Sequence, residues 1–323
     1  MISFSAFNRT VILLSAILIM AALWGADRIP GANFQMITFA SLVSALLADV
    51  SSFSSRLKRA ALWASYASAA QFLISITREL PFFQITVSTL FAYFTFLTLP
   101  DFRAGCIVML IGYLGLSAPQ GFLPAIGRSI DILAGVIIIT AVTTLGNMMQ
   151  KGKKEIPFSP QFSSPGQALE LSAILGTGAI LAEMLQLRQG QWVMMTILFI
   201  NMSKAPGSSG RKFALQRIFA VPLGIIAGGF FLGTFYNMDY RFIWLLPFIG
   251  ATGFFILYNY GDFFLFSIIF MITLTLFSDW MAGPYHRFNF WESFFSRTTA
   301  TLLGALLELL LSQRRNIENR AVS

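Results

Sequence analysis

The stretch that decides the class of this protein is FALQRIFAVPLGIIAGGFFLGTF, residues 213–235. It carries a single charge, Arg217, in a run long enough to cross a bilayer, which takes roughly 20 apolar residues as a helix. Similar runs recur along the chain, in which 56% of residues are hydrophobic and only 11% are charged. A soluble domain contains about 25% charged residues. The sequence therefore predicts an all-α, polytopic membrane protein.

Apolar segments separated by turn residues predict about 12 transmembrane helices. They are residues 10–26, 31–48, 60–77, 82–99, 103–118, 128–146, 168–187, 190–203, 213–235, 240–257, 262–278 and 294–312. The polar, proline-containing stretch 149–167 predicts a cytoplasmic linker between these helices. It divides the chain into a first six-helix half, residues 1–148, and a second, residues 168–323.

The two halves share short patterns that indicate a repeat. The pentapeptide LSAIL occurs at residues 14–18 and again at 171–175. An arginine followed seven residues later by a glycine opens predicted spans six, nine and twelve. These pairs are Arg128 with Gly135, Arg217 with Gly224, and Arg297 with Gly304. We predict two parallel six-helix repeats, related by an axis along the membrane normal.

The basic residues predict the orientation of the chain. Alternating spans place 15 of the 22 lysines and arginines, including all the lysines, on the side that holds both termini. Because Lys and Arg collect on the cytoplasmic side, we expect a bacterial inner-membrane protein with both termini in the cytoplasm. The net charge of +8 is thereby explained without nucleic acid.

Several chemistries find no support in the sequence. Cys106 is the only cysteine and His286 the only histidine, so a thiolate or histidine metal cluster is not expected. No G-x-x-x-x-G-K-[ST] loop is present, which argues against ATP-driven transport by this chain. We expect no cofactor and no enzymatic activity.

The Arg-x6-Gly pattern allows two interpretations. In the first, the arginine head stays wet at the membrane surface while the glycine lets another helix approach closely. Small residues then favour helix packing at Gly135, Gly224, Gly228 and Gly304. In the second, Arg128, Arg217 or Arg297 attracts an anionic substrate.

Carboxylates inside spans are costly and so suggest function. Glu183, in predicted span seven, and Glu308, in span twelve, are the leading candidates for proton coupling. Asp131 is a third candidate, although it lies one turn from Arg128 and could form a local ion pair.

The second half resembles the fusaric-acid-resistance and aromatic-acid-exporter family of bacterial inner-membrane proteins. The resemblance rests on Gln191 to Thr196 (QWVMMT), on Pro206-Gly207 with Arg211, on Arg217 through Gly224 to Gly228, and on Arg297 to Gly304 (RTTATLLG). The last stretch is similar to the family's R-x-x-G-T-L-L-G helix start, with Ala300 in place of its glycine. We expect a short form without large cytoplasmic domains.

The resemblance implies proton-driven efflux of aromatic carboxylic acids together with a periplasmic adaptor, or membrane fusion, protein. It adds Trp192 to the three arginines as a candidate substrate residue. Two alternatives stay open: a non-transporting scaffold subunit of an adaptor complex, and a major-facilitator-type carrier. We also expect that the chain could form a homo-oligomer. The aromatic outer loop around His286 allows two interpretations: an interfacial aromatic belt, or a docking surface for a periplasmic partner.

Overall fold

The computed structural model describes residues 53–114, 122–149, 162–203, 210–235, 262–282 and 290–322, with the single residues 249, 252 and 256. Regular structure in this part of the chain is α-helical and includes no strand, which confirms the all-α class there. The predicted spans 10–26 and 31–48, nearly all of 240–257, and the loop with His286 lie outside the described residues.

The described helices follow the predicted apolar segments in order. They are α1 (Phe53–Ile76), α2 (Pro81–Thr98), α3 (Phe102–Leu114), α4 (Phe122–Met149), α5 (Pro165–Met184), α6 (Gln191–Ser203), α7 (Arg211–Phe235), α8 (Phe263–Ala282) and α9 (Phe290–Val322). Several ends differ from prediction, most of all at α1 and α9. Hydropathy marks only the apolar part of a helix, whereas backbone hydrogen bonding continues into the polar flank.

The start of α5 shows how a local signal moves a boundary. Ser164 accepts a hydrogen bond from the Gln167 backbone N–H, and the Gln167 side chain accepts one from the Ser164 N–H. This capping box, with Pro165 as the first helical residue, satisfies backbone donors at the helix N-terminus. The helix therefore begins at Pro165, before the expected apolar start at residue 168.

Length and composition support a membrane location for several of these helices. Among the described residues, three segments are long and apolar enough to cross a bilayer: Pro81–Thr98, Arg211–Leu232 and Phe290–Leu311. The apolar segments in α3, α6 and α8 are shorter. The twelve-helix, two-repeat arrangement stays a prediction.

Contacts at glycines define the relative directions of the helices in the second half. Gly210, just before α7, lies beside Glu308 near the end of the apolar part of α9, and Gly229 meets Phe290 at the start of α9. Helices α7 and α9 are therefore antiparallel. Along α7 and α8 the contacts advance together, from Gly224 with Met271 to Gly228 with Thr275. These two helices are parallel.

The short helices α3 and α6 form the centre of the described fold. They pack against each other, and every residue from Ala104 to Tyr113 and from Trp192 to Met202 is buried. Helix α6 is also packed by α5, α7 and α9. A 13-residue helix is only about 20 Å long, so α6 lies within the protein rather than facing lipid.

Glycine allows α6 and α9 to touch at the level of the backbone. A Cβ at Gly304 would lie 2.6 Å from the carbonyl oxygen of Val193 and 3.1 Å from the Cβ of Thr196. Gly224 makes a similar contact, since its Cβ would lie 2.6 Å from the Ile268 carbonyl oxygen. Backbone atoms cannot rotate away as a side chain can, so both positions require a residue without a Cβ.

Gly304→Ala should therefore destabilise the protein by about 1–3 kcal/mol, the usual cost of overpacking a close contact. The measurement is the thermal unfolding midpoint of the purified protein in detergent. Gly127→Ala on α4 is the matched control, because nothing lies within 4 Å of a Cβ built there. Equal midpoints for the two variants would contradict the close α6–α9 contact.

Candidate functional site

Arg217 is the largest fully buried side chain among the described residues and lies in the second turn of α7. Its guanidinium carbon lies 4.5 Å from the ring centroid of Phe199, on α6. Its Nη1 donates to the hydroxyl of Ser267, on α8, at 3.4 Å. Its Nε and Nη2 atoms have no hydrogen-bond partner in the part of the chain that the structure describes. Three helices thus surround a cation with unused donors.

The energies do not balance for Arg217 by itself. Burying an ion costs several kcal/mol even after the protein relaxes. A desolvated cation–π contact contributes roughly 2 kcal/mol, and a hydrogen bond at the long end of the range contributes about 1 kcal/mol or less. The side chain is therefore under-compensated by the described residues. A bound anion that accepted from Nε and Nη2 would supply the missing interaction.

The expectation that these arginine heads stay wet at the membrane surface is wrong. Arg217 is 0% exposed, Arg128 3% and Arg297 5%. The reason lies in the spacing of the motif: residues seven apart share one face of a helix. A face that approaches a neighbour closely at Gly224 or Gly304 also brings the arginine on that face under cover.

Arg297 forms a second buried arginine–aromatic pair. Its Nε donates to the side-chain oxygen of Gln189 at 2.9 Å, and its guanidinium carbon lies 5.1 Å from the Trp192 ring centroid. The turn between α5 and α6 positions Gln189. In that turn Gln186 has a φ of 48°, a left-handed conformation that ends α5 tightly.

Arg128 lies apart from these two, on α4 in the first half. Its Nε donates to the Pro124 carbonyl oxygen at 3.1 Å. Asp131 is 8% exposed, and its charge acts on Arg128, as does the charge of Arg78. The local pairing of Arg128 with Asp131, one of the two interpretations of that acid, is compatible with this placement.

Glu308 is a fully buried carboxylate with named partners. One of its oxygens, Oε2, accepts from the Asn201 side-chain nitrogen at 2.9 Å. Asn201 also donates to the Ile197 carbonyl oxygen of its own helix at 2.9 Å. A Cβ at Gly210 would lie 2.9 Å from the other oxygen, Oε1, so the carboxylate lies at the N-terminus of α7. That end of a helix favours negative charge.

The remaining candidates occupy different environments. Glu183 is exposed in the last turn of α5, whereas Glu308 is fully buried. Gly135 is buried within α4, while Gly224 and Gly228 contact α8 and Gly304 contacts α6. Among the described residues, no group of three or more His, Cys, Asp or Glu could hold a metal ion.

The structure thus brings Arg217, Arg297, Trp192 and Glu308 around α6 and leaves Arg128, Asp131 and Glu183 elsewhere. Sequence reasoning missed Phe199, Ser267 and Gln189. Phe199 follows Trp192 by seven residues, a spacing that places both rings on one helix face. That spacing was the available signal. Ser267 and Gln189 make contacts across large sequence separations, which one sequence does not specify.

A sequence model of the fusaric acid resistance protein-like family matches residues 177–311. The match supports the assignment of this region to that family. The matched region covers α6, α7 and α8 in full, together with Arg217, Arg297 and Glu308. The family assignment supports a transporter-type function in a membrane. Neither the search of curated proteins nor the search of solved structures returned a match.

If Arg217 is retained for binding rather than for stability, Arg217→Met should leave the thermal unfolding midpoint unchanged or raise it. Replacing an under-compensated buried ion by an apolar side chain of similar size is often neutral or stabilising by about 1–4 kcal/mol. Met195→Ala, which truncates a buried side chain on α6, should reduce the stability by about 2–5 kcal/mol and lower the midpoint accordingly. This control shows that the assay detects a loss of stability. A drop in Arg217→Met as large as in Met195→Ala would identify the arginine as a structural anchor.

Proposed function

We propose that this protein is an inner-membrane exporter of small organic anions, in particular aromatic carboxylates. The observation that carries the proposal is the fully buried Arg217, which lies over Phe199 and has two donors unused by the described residues. A guanidinium binds a carboxylate with two parallel hydrogen bonds. The neighbouring ring would pack against the apolar part of an aromatic acid.

We further propose that export is driven by protons through Glu308. A carboxylate in the membrane interior costs free energy, so its presence there suggests a function. When ionised, Glu308 is stabilised by Asn201 and by the N-terminus of α7, the helix that carries Arg217. Protonation would weaken both interactions. It would thereby loosen the end of α7 and couple the proton to the helix that holds the substrate.

The full architecture that we propose has twelve helices in two parallel six-helix repeats, with both termini in the cytoplasm. The parallel course of α7 and α8 supports it, because the chain has to return between them and the predicted span 240–257 would do so. The halves also share a packing pattern: α1 packs on α3 and α4, as α7 packs on α8 and α9.

A periplasmic adaptor protein as partner, and assembly into a homo-oligomer, belong to the same proposal. We assign the contact with the adaptor to the aromatic segment around His286, which lies outside the described residues. The competing interpretation is a scaffold subunit that assembles an adaptor complex without transporting. A scaffold subunit does not need an arginine that can bind an anion, so the activity of Arg217 variants distinguishes the two interpretations.

Cells that express the chain should lose preloaded, labelled 4-hydroxybenzoate faster than control cells, and Arg217→Met should abolish the difference. Loss of charge-assisted hydrogen bonds to a carboxylate costs about 1.5–3 kcal/mol, a reduction of roughly 10- to 100-fold in the rate at low substrate. Lys212→Gln, which removes a positive charge from the exposed first turn of the same helix, should export normally. Export that survives Arg217→Met would refute the assigned site, and no export by the unaltered chain would favour the scaffold.

Glu308→Gln should stop net export driven by a pH gradient in proteoliposomes while leaving exchange of labelled for unlabelled substrate intact. Exchange needs no net proton movement, and glutamine keeps the shape of the side chain. Glu183→Gln and Asp131→Asn are measured beside it, since both acids are still candidates. Loss of gradient-driven export in one of these two, with Glu308→Gln active, would transfer the proton site to that residue.

A further inference from the structure

The two buried arginines of the second half converge on one face of α6. Trp192 and Phe199 are seven residues apart, and Thr196 lies between them at a spacing of four and three. These spacings place all three on a single stripe of the helix. Arg297 covers the Trp192 end at 5.1 Å, and Arg217 covers the Phe199 end at 4.5 Å. Seven residues correspond to about 10 Å along the axis.

The opposite courses of α7 and α9 explain why the arginines reach different ends of this stripe. Side chains on a helix lean toward its N-terminus. Arg217 and Arg297 each lie in the second turn of their own helix, and these helices are antiparallel. One guanidinium is therefore directed toward the end of the bundle near Glu308, and the other toward the end near Gln189.

Two buried hydroxyl groups lie near the stripe: Thr196 between the two rings on α6, and Thr301 on the face of α9 that carries Arg297 and Gly304. Thr196, on α6, and Thr301, on α9, are 0% and 1% exposed. Neither hydroxyl oxygen has a hydrogen-bond partner among the described residues. A buried hydroxyl without a partner costs about 1–3 kcal/mol. Both threonines would be satisfied by a carboxylate passing along the stripe, because a hydroxyl can donate to it.

We propose that the stripe Trp192–Thr196–Phe199 is a two-station carboxylate path, which rests on and deepens the proposed export function. An aromatic carboxylate binds first at Arg217 over Phe199, on the cytoplasmic side in the proposed orientation. It then passes the two threonine hydroxyls and binds at Arg297 over Trp192, nearer the periplasm. The stripe is covered in this structure, so an anion reaches each station only when α7 or α9 moves away from α6.

Two stations in series also meet an energetic requirement of transport. Each site must bind strongly enough to strip water from the carboxylate yet release it onward. A neighbouring site of the same chemistry about 10 Å away lets the anion leave one guanidinium for another. With two sites of similar affinity, neither site holds the anion too tightly for it to move on.

The test is the number of benzoate molecules bound by the full-length protein in lipid nanodiscs, measured by equilibrium dialysis with labelled benzoate up to saturation. We expect two per chain for the unaltered protein and for Lys212→Gln. We expect one for Arg217→Met, one for Arg297→Met and none for the double variant. Thermal unfolding of each sample verifies folding.

A second pair of variants covers the case in which a methionine variant fails to fold. Arg217→Lys and Arg297→Lys keep the charge but lose the planar fork, so each should keep two sites and weaken one of them about tenfold. One site in the unaltered protein, or two undiminished sites in Arg297→Met or Arg297→Lys, would overturn the two-station path.

These outcomes are distinguishable from failure of the proposed function. One bound benzoate together with normal export would reject the second station and leave the exporter in place. Two bound benzoates without export would support the stations and reject export. Neither binding nor export would reject both.

Discussion

The contact on which the described fold depends is the close approach of the α6 and α9 backbones at Gly304. The carbonyl oxygen of Val193 lies only 2.6 Å from the position that a Cβ would take at this residue. Helix α6 is short and buried on every side, so its position is fixed by its neighbours and not by lipid. Gly178 on α5 also lies close to α6, since its Cβ would be 3.0 Å from the Val193 side chain and 3.2 Å from that of Ile197. The arginines, aromatic rings and carboxylate all take their places from this central helix.

Burial changes the free-energy cost of the charged residues. A surface arginine contributes little energy and needs no partner. The same residue at 0% exposure carries a desolvation cost that packing must offset. Tight contacts at Gly224 and Gly304 provide that packing, and the arginines occupy the space beside them. The desolvation cost of Arg217 is therefore only partly offset by the described residues, and an anionic ligand would offset the rest. Glu308, in contrast, has Asn201 as a hydrogen-bond donor.

The sequence predicted the described helices well and the burial of their charged residues poorly. Apolar runs predicted the described helices because hydropathy and helix length are local properties. The start of α5 was misplaced because a capping box lies outside the apolar run. The wet arginine heads were wrong for a different reason: depth depends on which helix covers a face, and that is a matter of tertiary packing. The sequence does not identify Phe199 and Ser267 as partners of Arg217, because Phe and Ser are common in its apolar segments. Only the packing of α6, α7 and α8 brings these two residues to the arginine.

The spacing of the Arg-x6-Gly pattern explains why its arginines are buried. Packing and anion attraction are not alternatives, because a spacing of seven puts both residues on the same helix face. The glycine draws that face against a neighbour, and the neighbour's contact removes the arginine from water. In α7 and α9 an aromatic ring on α6 then meets the guanidinium. A pattern that began as a packing device thus produces buried, desolvated cations, and antiparallel helices direct them to opposite ends of the same stripe. Repetition of one short motif therefore places two buried guanidinium–aromatic pairs at opposite ends of α6.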